Sequence, residues 1–184
     1  MSQITKEQRK EKVIEVLNKA RSMELQAIHQ YMNQHYNIGN WDYGDMAAKL
    51  KLIAIDEMRH AEMFADRVEE LGGQPTTEAA AKSIKGQKVE EVFPFDANLE
   101  DNTMATYNDF LLVCRENGDS SSVKLFELII EEEQIHFNYF DNVSEHIKNL
   151  DGTYLARIAG TPSTTGLNTL GFVARQGGAP QAGA

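Results

Sequence analysis

Two copies of a Glu-x-x-His motif carry the residues of this chain that are best suited to chemistry. They are Glu57 with His60 and Glu133 with His136. Residues three positions apart lie on the same face of an α-helix, so each motif presents a carboxylate oxygen beside an imidazole nitrogen. A shift of 76 residues superposes the two motifs and two further pairs, Glu24 on Glu100 and Tyr31 on Tyr107. The sequence therefore contains an internal repeat, and we predict that each half of the repeat is a helical hairpin.

All four repeat-related glutamates lie in the middle of an apolar stripe. For Glu57, helical periodicity places Leu50, Ile53 and Phe64 within about 40° of the carboxylate on the helix surface. The stripes around the other three glutamates are built in the same way. We therefore predict that all four carboxylates point into the interior of a helical bundle.

Such an interior must contain counter-charges. An ionised carboxylate that is moved into a low-dielectric interior without a partner costs several kcal/mol, and clustered carboxylates also repel one another. Protonation would require a raised pKa at all four sites. The apolar stripes contain no Lys or Arg. Two divalent cations would cancel the charge of four carboxylates, so we predict a dinuclear metal site.

The types of ligand narrow the choice of metal. Carboxylates combined with imidazoles, and no thiolate, favour iron, manganese or zinc over calcium or copper(I). Two ions bridged by carboxylates lie roughly 3.5–4 Å apart and can bind O₂ or water between them. One Glu from each of two helices, with Glu-x-x-His from each of the other two, is the ligand pattern of dinuclear helical bundles.

The elements that position these residues are predicted to be helices. Hydrophobic periodicity and turn signals indicate four long helices, at 6–37, 42–71, 97–117 and 120–150, and a short fifth helix at 153–159. Residues 74–95 are polar and contain two prolines, so we expect a long connection there. We predict an all-α domain over residues 1–160, a four-helix bundle with one long crossover. We expect a Gly/Ser/Thr-rich tail, partly disordered, at 161–184.

Composition excludes several classes of function. The chain has 184 residues, with 18 basic and 28 acidic side chains and a formal net charge of −10. This charge argues against nucleic-acid or anionic-membrane partners and suits a protein that collects cations. A single cysteine excludes an intrachain disulfide and cysteine-based metal clusters. We find neither an apolar leader nor a membrane span, and we expect a soluble protein of the cytoplasm.

Two pairs of residues near the motifs leave alternatives open. Tyr31 and Tyr107 either pack in the core or donate hydrogen bonds to the site, and packing is favoured. Asp56 and Glu132 each precede a motif glutamate. They either orient the histidines from outside the metal site or simply lie on solvated helix faces.

The chain resembles the bacterioferritins over about residues 8–160. The resemblance is carried by the six motif residues and by the segments MELQAIHQY (23–31), AIDEMRHAE (54–62) and IIEEEQIHF (129–137). It implies a ferritin-like bundle whose ligands form a ferroxidase centre with two irons per subunit. Glu24 and Glu100 would be terminal ligands and Glu57 and Glu133 bridges, while His60 and His136 would each supply one nitrogen. It also implies assembly from dimers into a hollow shell of 24 subunits that stores ferric mineral.

The resemblance gives Met58 a separate role. A methionine at this position in the family ligates haem iron from each of two subunits across a two-fold axis, and thioether ligation of haem is established chemistry. Met58 lies about 100° from Glu57 around the helix, so it faces sideways from the metal site. Ala47, Ala54 and Ala65 share its side of the helix and leave room for a flat ligand or for a close helix.

We therefore predict an iron-storage protein that oxidises Fe²⁺ with O₂ or peroxide, with a small electron-donor protein as a partner for iron release. A second hypothesis is a di-iron peroxide reductase of the rubrerythrin type, although those proteins usually add a Cys₄ iron domain that a single cysteine excludes. A third is a non-enzymatic haem or iron store in which the dinuclear site is structural.

Overall fold

Four long helices and one short helix make up the described part of the chain. The computed structural model describes residues 5–161, so the predicted tail at 161–184 lies outside the described residues apart from Thr161. The helices are α1 (Lys6–Asn40), α2 (Gly44–Glu70), α3 (Val89–Glu116), α4 (Ser120–Leu150) and α5 (Gly152–Ile158). Within residues 5–161 the only β-type pairing is an isolated bridge between Tyr43 and Thr161. The predicted all-α four-helix bundle with a short fifth helix is confirmed.

The long connection between α2 and α3 makes these two helices parallel. It spans residues 71–88 and runs along α1, where Thr76 N donates to Asn18 Oδ1 (2.7 Å), Ala80 N to Ser22 O (2.8 Å) and Ile84 N to Gln30 Oε1 (2.8 Å). The chain therefore returns to the end of the bundle at which α2 began. The predicted crossover topology is correct.

The predicted start of α3 is wrong. The helix begins at Val89, not near residue 97, and Pro94 lies inside it. Pro94 is the sixth residue of the helix, so its missing amide hydrogen removes one helical hydrogen bond, the one to the carbonyl of Glu90. Burial of one helix face offsets the loss of this hydrogen bond. The buried residues have the helical spacing i, i+3, i+4, i+7 and i+8, which is already present in the sequence: Val89, Val92, Phe93, Asp96 and Ala97.

The end of α1 also differs from the prediction. The turn signal Asn37–Asn40 lies inside the last helical turn, because buried Ile38 anchors that turn in the core. The reversal occurs at residues 41–43, where Asp42 has a φ of 66°. The other boundaries agree with the prediction to within two residues.

The core is divided along the bundle axis into two hydrophobic clusters. One contains Phe93 and Phe140 and lies towards the α1–α2 turn, and the other contains Phe64 and Phe126 and lies towards the opposite end. Buried polar side chains separate the clusters about halfway along the helices. No helix in residues 5–161 is both long and apolar enough to cross a membrane.

Candidate metal centre

The six residues predicted from the repeat meet between the two hydrophobic clusters. Glu24 projects from α1 and Glu100 from α3, while α2 and α4 each contribute a Glu-x-x-His motif. Every one of the six is buried, with a relative exposure of 5% or less. The apolar stripes around the glutamates explain this placement, because the packing that buries each stripe also brings its carboxylate to the bundle axis.

Two of the carboxylates each face both histidines. His60 Nδ1 lies 3.0 Å from Glu57 Oε2 and 3.0 Å from Glu133 Oε1. His136 Nδ1 lies 3.0 Å from Glu57 Oε1 and 3.2 Å from Glu133 Oε2. Glu57 and Glu133 therefore lie between the two imidazoles, with one oxygen directed to each side.

The six side chains form two overlapping groups that could each hold one metal ion. In each group the candidate ligand atoms lie within 4.8 Å of one another. The groups consist of Glu24, Glu57, His60 and Glu133, and of Glu57, Glu100, Glu133 and His136. Because Glu57 and Glu133 belong to both, the arrangement suits two ions that share two bridging carboxylates.

The donor set fits a pair of divalent cations. Glu57 Oε1 and Glu133 Oε1 are buried, and the histidine Nδ1 atom 3.0 Å from each does not have good hydrogen-bond geometry towards it. Within residues 5–161, no Lys or Arg forms an ion pair with the four glutamates, whose charged neighbours are the two histidines. Anionic oxygens in this setting need a cation, and oxygen and nitrogen ligands without sulfur suit iron, manganese or zinc.

Protons compete with metal ions for these ligands. Burial, reinforced by the neighbouring carboxylates, raises the pKa of Glu24 and of Glu100 well above the usual range. Burial also disfavours the charged forms of Glu133 and the histidines. Hydrogen bonds among them prevail, so the pKa of Glu133 falls to about 2 and the pKa values of His60 and His136 rise to about 12 and about 10. Metal binding must therefore displace protons.

The two tyrosines donate hydrogen bonds to the site and also pack in the core. Tyr31 Oη donates to Glu100 Oε1, and Tyr107 Oη donates to Glu24 Oε1. Their rings also pack, Tyr31 against Phe140 and Tyr107 in the opposite cluster. The prediction that favoured packing was therefore incomplete, because each phenol also donates a hydrogen bond to a carboxylate in the other half of the repeat.

Comparison with known proteins assigns the family. A model of the ferritin-like domain matches residues 14–156. The chain is 61% identical over 168 residues to the bacterioferritin of Desulfovibrio desulfuricans, covering 91% of this chain and 94% of that protein. The chain belongs to the bacterioferritin family. A solved structure of the D. desulfuricans bacterioferritin, described with its diiron site in different catalytic states, superposes with a TM-score of 0.88 at 60% identity over 91% of this chain and 98% of its own.

More distant bacterioferritins share the same architecture. The structure of Mycobacterium tuberculosis bacterioferritin matches with a TM-score of 0.76 at 31% identity, over 80% of this chain and 93% of its own. The bacterioferritin of Brucella melitensis is 32% identical over 130 residues, or 71% of this chain and 81% of that protein.

Asp56 and Glu132 contact the outer nitrogens of the histidines in this bacterioferritin-family chain. His60 Nε2 lies 2.7 Å from Glu132 Oε2, and His136 Nε2 lies 3.7 Å from Asp56 Oδ2. Both carboxylates are partly exposed and line a surface groove of about 420 Å³ between α2 and α4. Glu132 therefore orients His60, whereas Asp56 lies too far from His136 for a hydrogen bond, and both carboxylates reach the surface, so both alternatives hold in part.

Met58 follows Glu57 in the chain, but its side chain faces outwards. Its side chain is 54% exposed, and Ile55, one turn earlier, is also exposed. Of the three alanines, Ala47 and Ala54 are buried in the core of the subunit, where they allow close helix packing, whereas Ala65 is half-buried. The thioether of Met58 fits an axial ligand because it remains available on the surface of the subunit.

Proposed function

We propose that this bacterioferritin-family protein oxidises Fe²⁺ to Fe³⁺ at the six-residue centre and stores the ferric iron. The single observation that carries the proposal is the shared placement of Glu57 and Glu133, each of which faces both histidines at 3.0–3.2 Å. That arrangement prepares two adjacent positions for two ions. Substrate Fe²⁺ supplies one electron per ion to O₂ or peroxide.

The side chains divide the work of binding. Glu24 and His60 would complete one position, and Glu100 and His136 the other, with Glu57 and Glu133 common to both. Tyr107 and Tyr31 hold the two terminal carboxylates in place through their hydrogen bonds. Glu132 fixes His60 with Nδ1 turned towards the interior. The hydrophobic clusters on either side exclude water and keep the carboxylates from turning to solvent.

The charge of the ligand set favours divalent ions. Four carboxylates carry a charge of about −4, which two Fe²⁺ ions balance. Oxidation of both ions adds two positive charges, so protons must leave or an anion must enter for neutrality to be kept. The groove beside Asp56 and Glu132, which Lys49 and Arg59 also line, would be the route by which Fe²⁺ enters, since both carboxylates reach from the histidines to the surface.

We further propose that haem binds at a two-fold interface through Met58 of each subunit, where it would supply one-electron chemistry. The exposed thioether supports this assignment. Subunit dimers would assemble into a shell of 24 with a cavity for ferric mineral, and a small electron-donor protein would drive iron release. The lone cysteine, Cys114, is consistent with a reducing cytoplasmic location.

Stopped-flow oxidation of Fe²⁺ at two ions per subunit tests the function. We expect Glu133→Ala to lose most of the rapid phase, because this change removes an oxygen from both positions, while circular dichroism reports an intact fold. Glu131→Ala is the matched control, since Glu131 is an exposed carboxylate two residues away. An unchanged rapid phase in Glu133→Ala would refute the assigned site. Peroxide turnover with an external reductant, without mineral uptake, would instead favour the peroxide reductase.

A further inference from the structure

One further buried acid, besides the four glutamates of the centre, lies one helical turn away and takes no part in binding the two ions. Asp96 on α3 is fully buried and lies four residues before Glu100. Its carboxyl Oδ1 accepts a hydrogen bond of 2.8 Å from Nε2 of Gln34 on α1, which is also buried. The other oxygen of each group, Asp96 Oδ2 and Gln34 Oε1, has no hydrogen-bond partner.

The two unpartnered oxygens, Asp96 Oδ2 and Gln34 Oε1, indicate that a proton is needed between the acid and the amide. If Asp96 is ionised, both atoms are acceptors, and two buried acceptors beside each other are costly. A single proton on Asp96 Oδ2 removes this cost, because the resulting hydroxyl can donate to Gln34 Oε1. The acid and the amide would then be joined by two antiparallel hydrogen bonds, of which the structure already contains one.

The surroundings of Asp96 favour the neutral acid. Within residues 5–161 no basic side chain forms an ion pair with it, and burial raises the pKa of Asp96 against the opposing effect of the Gln34 hydrogen bond. The titratable groups that sense its charge are two phenols, Tyr31 on α1 and Tyr139 on α4. Phe93 and Ala97, the neighbours of Asp96 on α3, belong to a core cluster. The α2 residues of that cluster are all uncharged: Met46, Ala47, Leu50, Ile53 and Ala54.

The acid–amide pair breaks the symmetry of the repeat. A shift of 76 residues places Ala20 at the position of Asp96 and Phe110 at the position of Gln34. The core beyond Tyr107 is accordingly aromatic, whereas the core beyond Tyr31 contains an acid. Core packing alone does not require a carboxyl here, since the equivalent layer of the other half has none.

We propose that Asp96 is a charge-compensating acid, which keeps its proton while the centre holds two divalent ions and releases it when they become trivalent. This inference rests on the proposed function. Each Fe²⁺ loses one electron to the oxidant, and the Asp96 carboxyl loses one proton to solvent and becomes a carboxylate. One of the two added positive charges is thereby balanced within the subunit. Gln34 Nε2 also contacts Oε1 of the half-buried Gln87 (3.1 Å), so the acid connects through Gln34 to the crossover connection.

Infrared spectroscopy of the assembled protein tests the proton directly, without turnover. In protein loaded with two Zn²⁺ per subunit, we expect the C=O band of a carboxylic acid, which shifts in D₂O and is lost in Asp96→Asn. This substitution keeps a donor and an acceptor towards Gln34, so the melting temperature should change little. Asp101→Asn, an exposed carboxylate on the same helix, should retain the band.

Loading with Ga³⁺ tests the coupling to charge, since Ga³⁺ raises the charge of the centre without redox chemistry. We expect two Ga³⁺ per subunit to abolish the band that two Zn²⁺ preserve. A band that persists with Ga³⁺ would refute the release of the proton. Its absence with Zn²⁺ would show that a cation or water occupies the two oxygens, which would overturn the inference. Neither result depends on iron oxidation, so failure of the proposed function remains distinguishable.

Discussion

The phenol of Tyr31 on α1 donates a hydrogen bond to the carboxylate of Glu100 on α3. The repeat-related pair forms the reciprocal contact, from Tyr107 on α3 to Glu24 on α1. Each of these two glutamates is therefore held by the helix that carries the other one. This crossed pairing links the two hairpins through the site itself, so that ligand geometry and helix packing depend on each other.

Removing the Tyr31 hydroxyl should weaken the centre without collapsing it. In Tyr31→Phe the ring still packs against Phe140, but Glu100 loses its donor. Loss of an outer hydrogen bond to a metal ligand costs roughly 10- to 100-fold in affinity or activity. When Co²⁺ is titrated, we expect the affinity for the more weakly bound of the two ions to fall by this factor. Tyr36→Phe is the control, because Tyr36 is exposed, and equal affinities in the two variants would contradict the prediction.

Glu132 should matter more than Asp56 for metal binding. The two carboxylates have equivalent positions in the repeat, but Glu132 lies 2.7 Å from His60 whereas Asp56 lies 3.7 Å from His136. We therefore expect Glu132→Ala to reduce Co²⁺ affinity more than Asp56→Ala does, because only the shorter contact fixes the tautomer and orientation of its histidine. The reverse order in matched titrations would show that these two distances do not control the orientation of the histidines.

Met58→Leu should produce an assembled protein without haem. Leucine preserves the volume and apolar character of the exposed side chain but offers no sulfur ligand. The absorption spectrum and the size-exclusion mass are sufficient measurements. A Soret band of normal intensity in the variant would exclude Met58 as the axial ligand, and a reduced particle mass would point to an interface role. Met63→Leu, a partly buried methionine on the same helix, is the matched control.

Stability at acidic pH should depend on Asp119. This residue caps α4 through Ser122 N and accepts hydrogen bonds of 2.7 and 2.8 Å from Arg67 Nη2. Burial tends to raise the pKa of Asp119, but the Arg67 and Ser122 hydrogen bonds prevail and lower it below its ordinary 3.8. The ionised form is thus favoured in the folded protein. Its stabilising contribution is complete above the unfolded-state pKa and is lost as the pH falls through the folded-state pKa.

We expect Asp119→Asn to lower the free energy of unfolding by about 1–3 kcal/mol at neutral pH, as for other hydrogen bonds to charged groups. The difference from wild type should shrink below about pH 4. Urea unfolding at several pH values measures both effects. Glu70→Gln is the control, since the exposed Glu70 also pairs with Arg67 but should contribute under 1 kcal/mol. A difference that stays constant down to pH 2 would refute the role of the ionised carboxylate.

The start of α3 shows where a local signal was read incorrectly. Pro94 and the polar residues before it indicated a connection, yet Val89, Val92, Phe93 and Ala97 have helical spacing and are buried. The proline carried too much weight, because in the second turn it removes a single hydrogen bond. Asp96 was missed for the same reason, since it lies between the connection predicted at 74–95 and the helix predicted to begin at residue 97.

The sequence alone determined which carboxylates would point into the bundle. Helical periodicity places Glu24, Glu57, Glu100 and Glu133 within apolar stripes, and burying the four stripes in one bundle turns all four carboxylates towards its interior. The tertiary structure alone decided that Tyr31 supports Glu100, that Glu132 contacts His60, and that Asp96 faces Gln34. These contacts join different helices, and they depend on the axial register and rotation of one helix against another. Periodicity within a single helix specifies which face is buried, but it does not specify which residue of a neighbouring helix that face will meet.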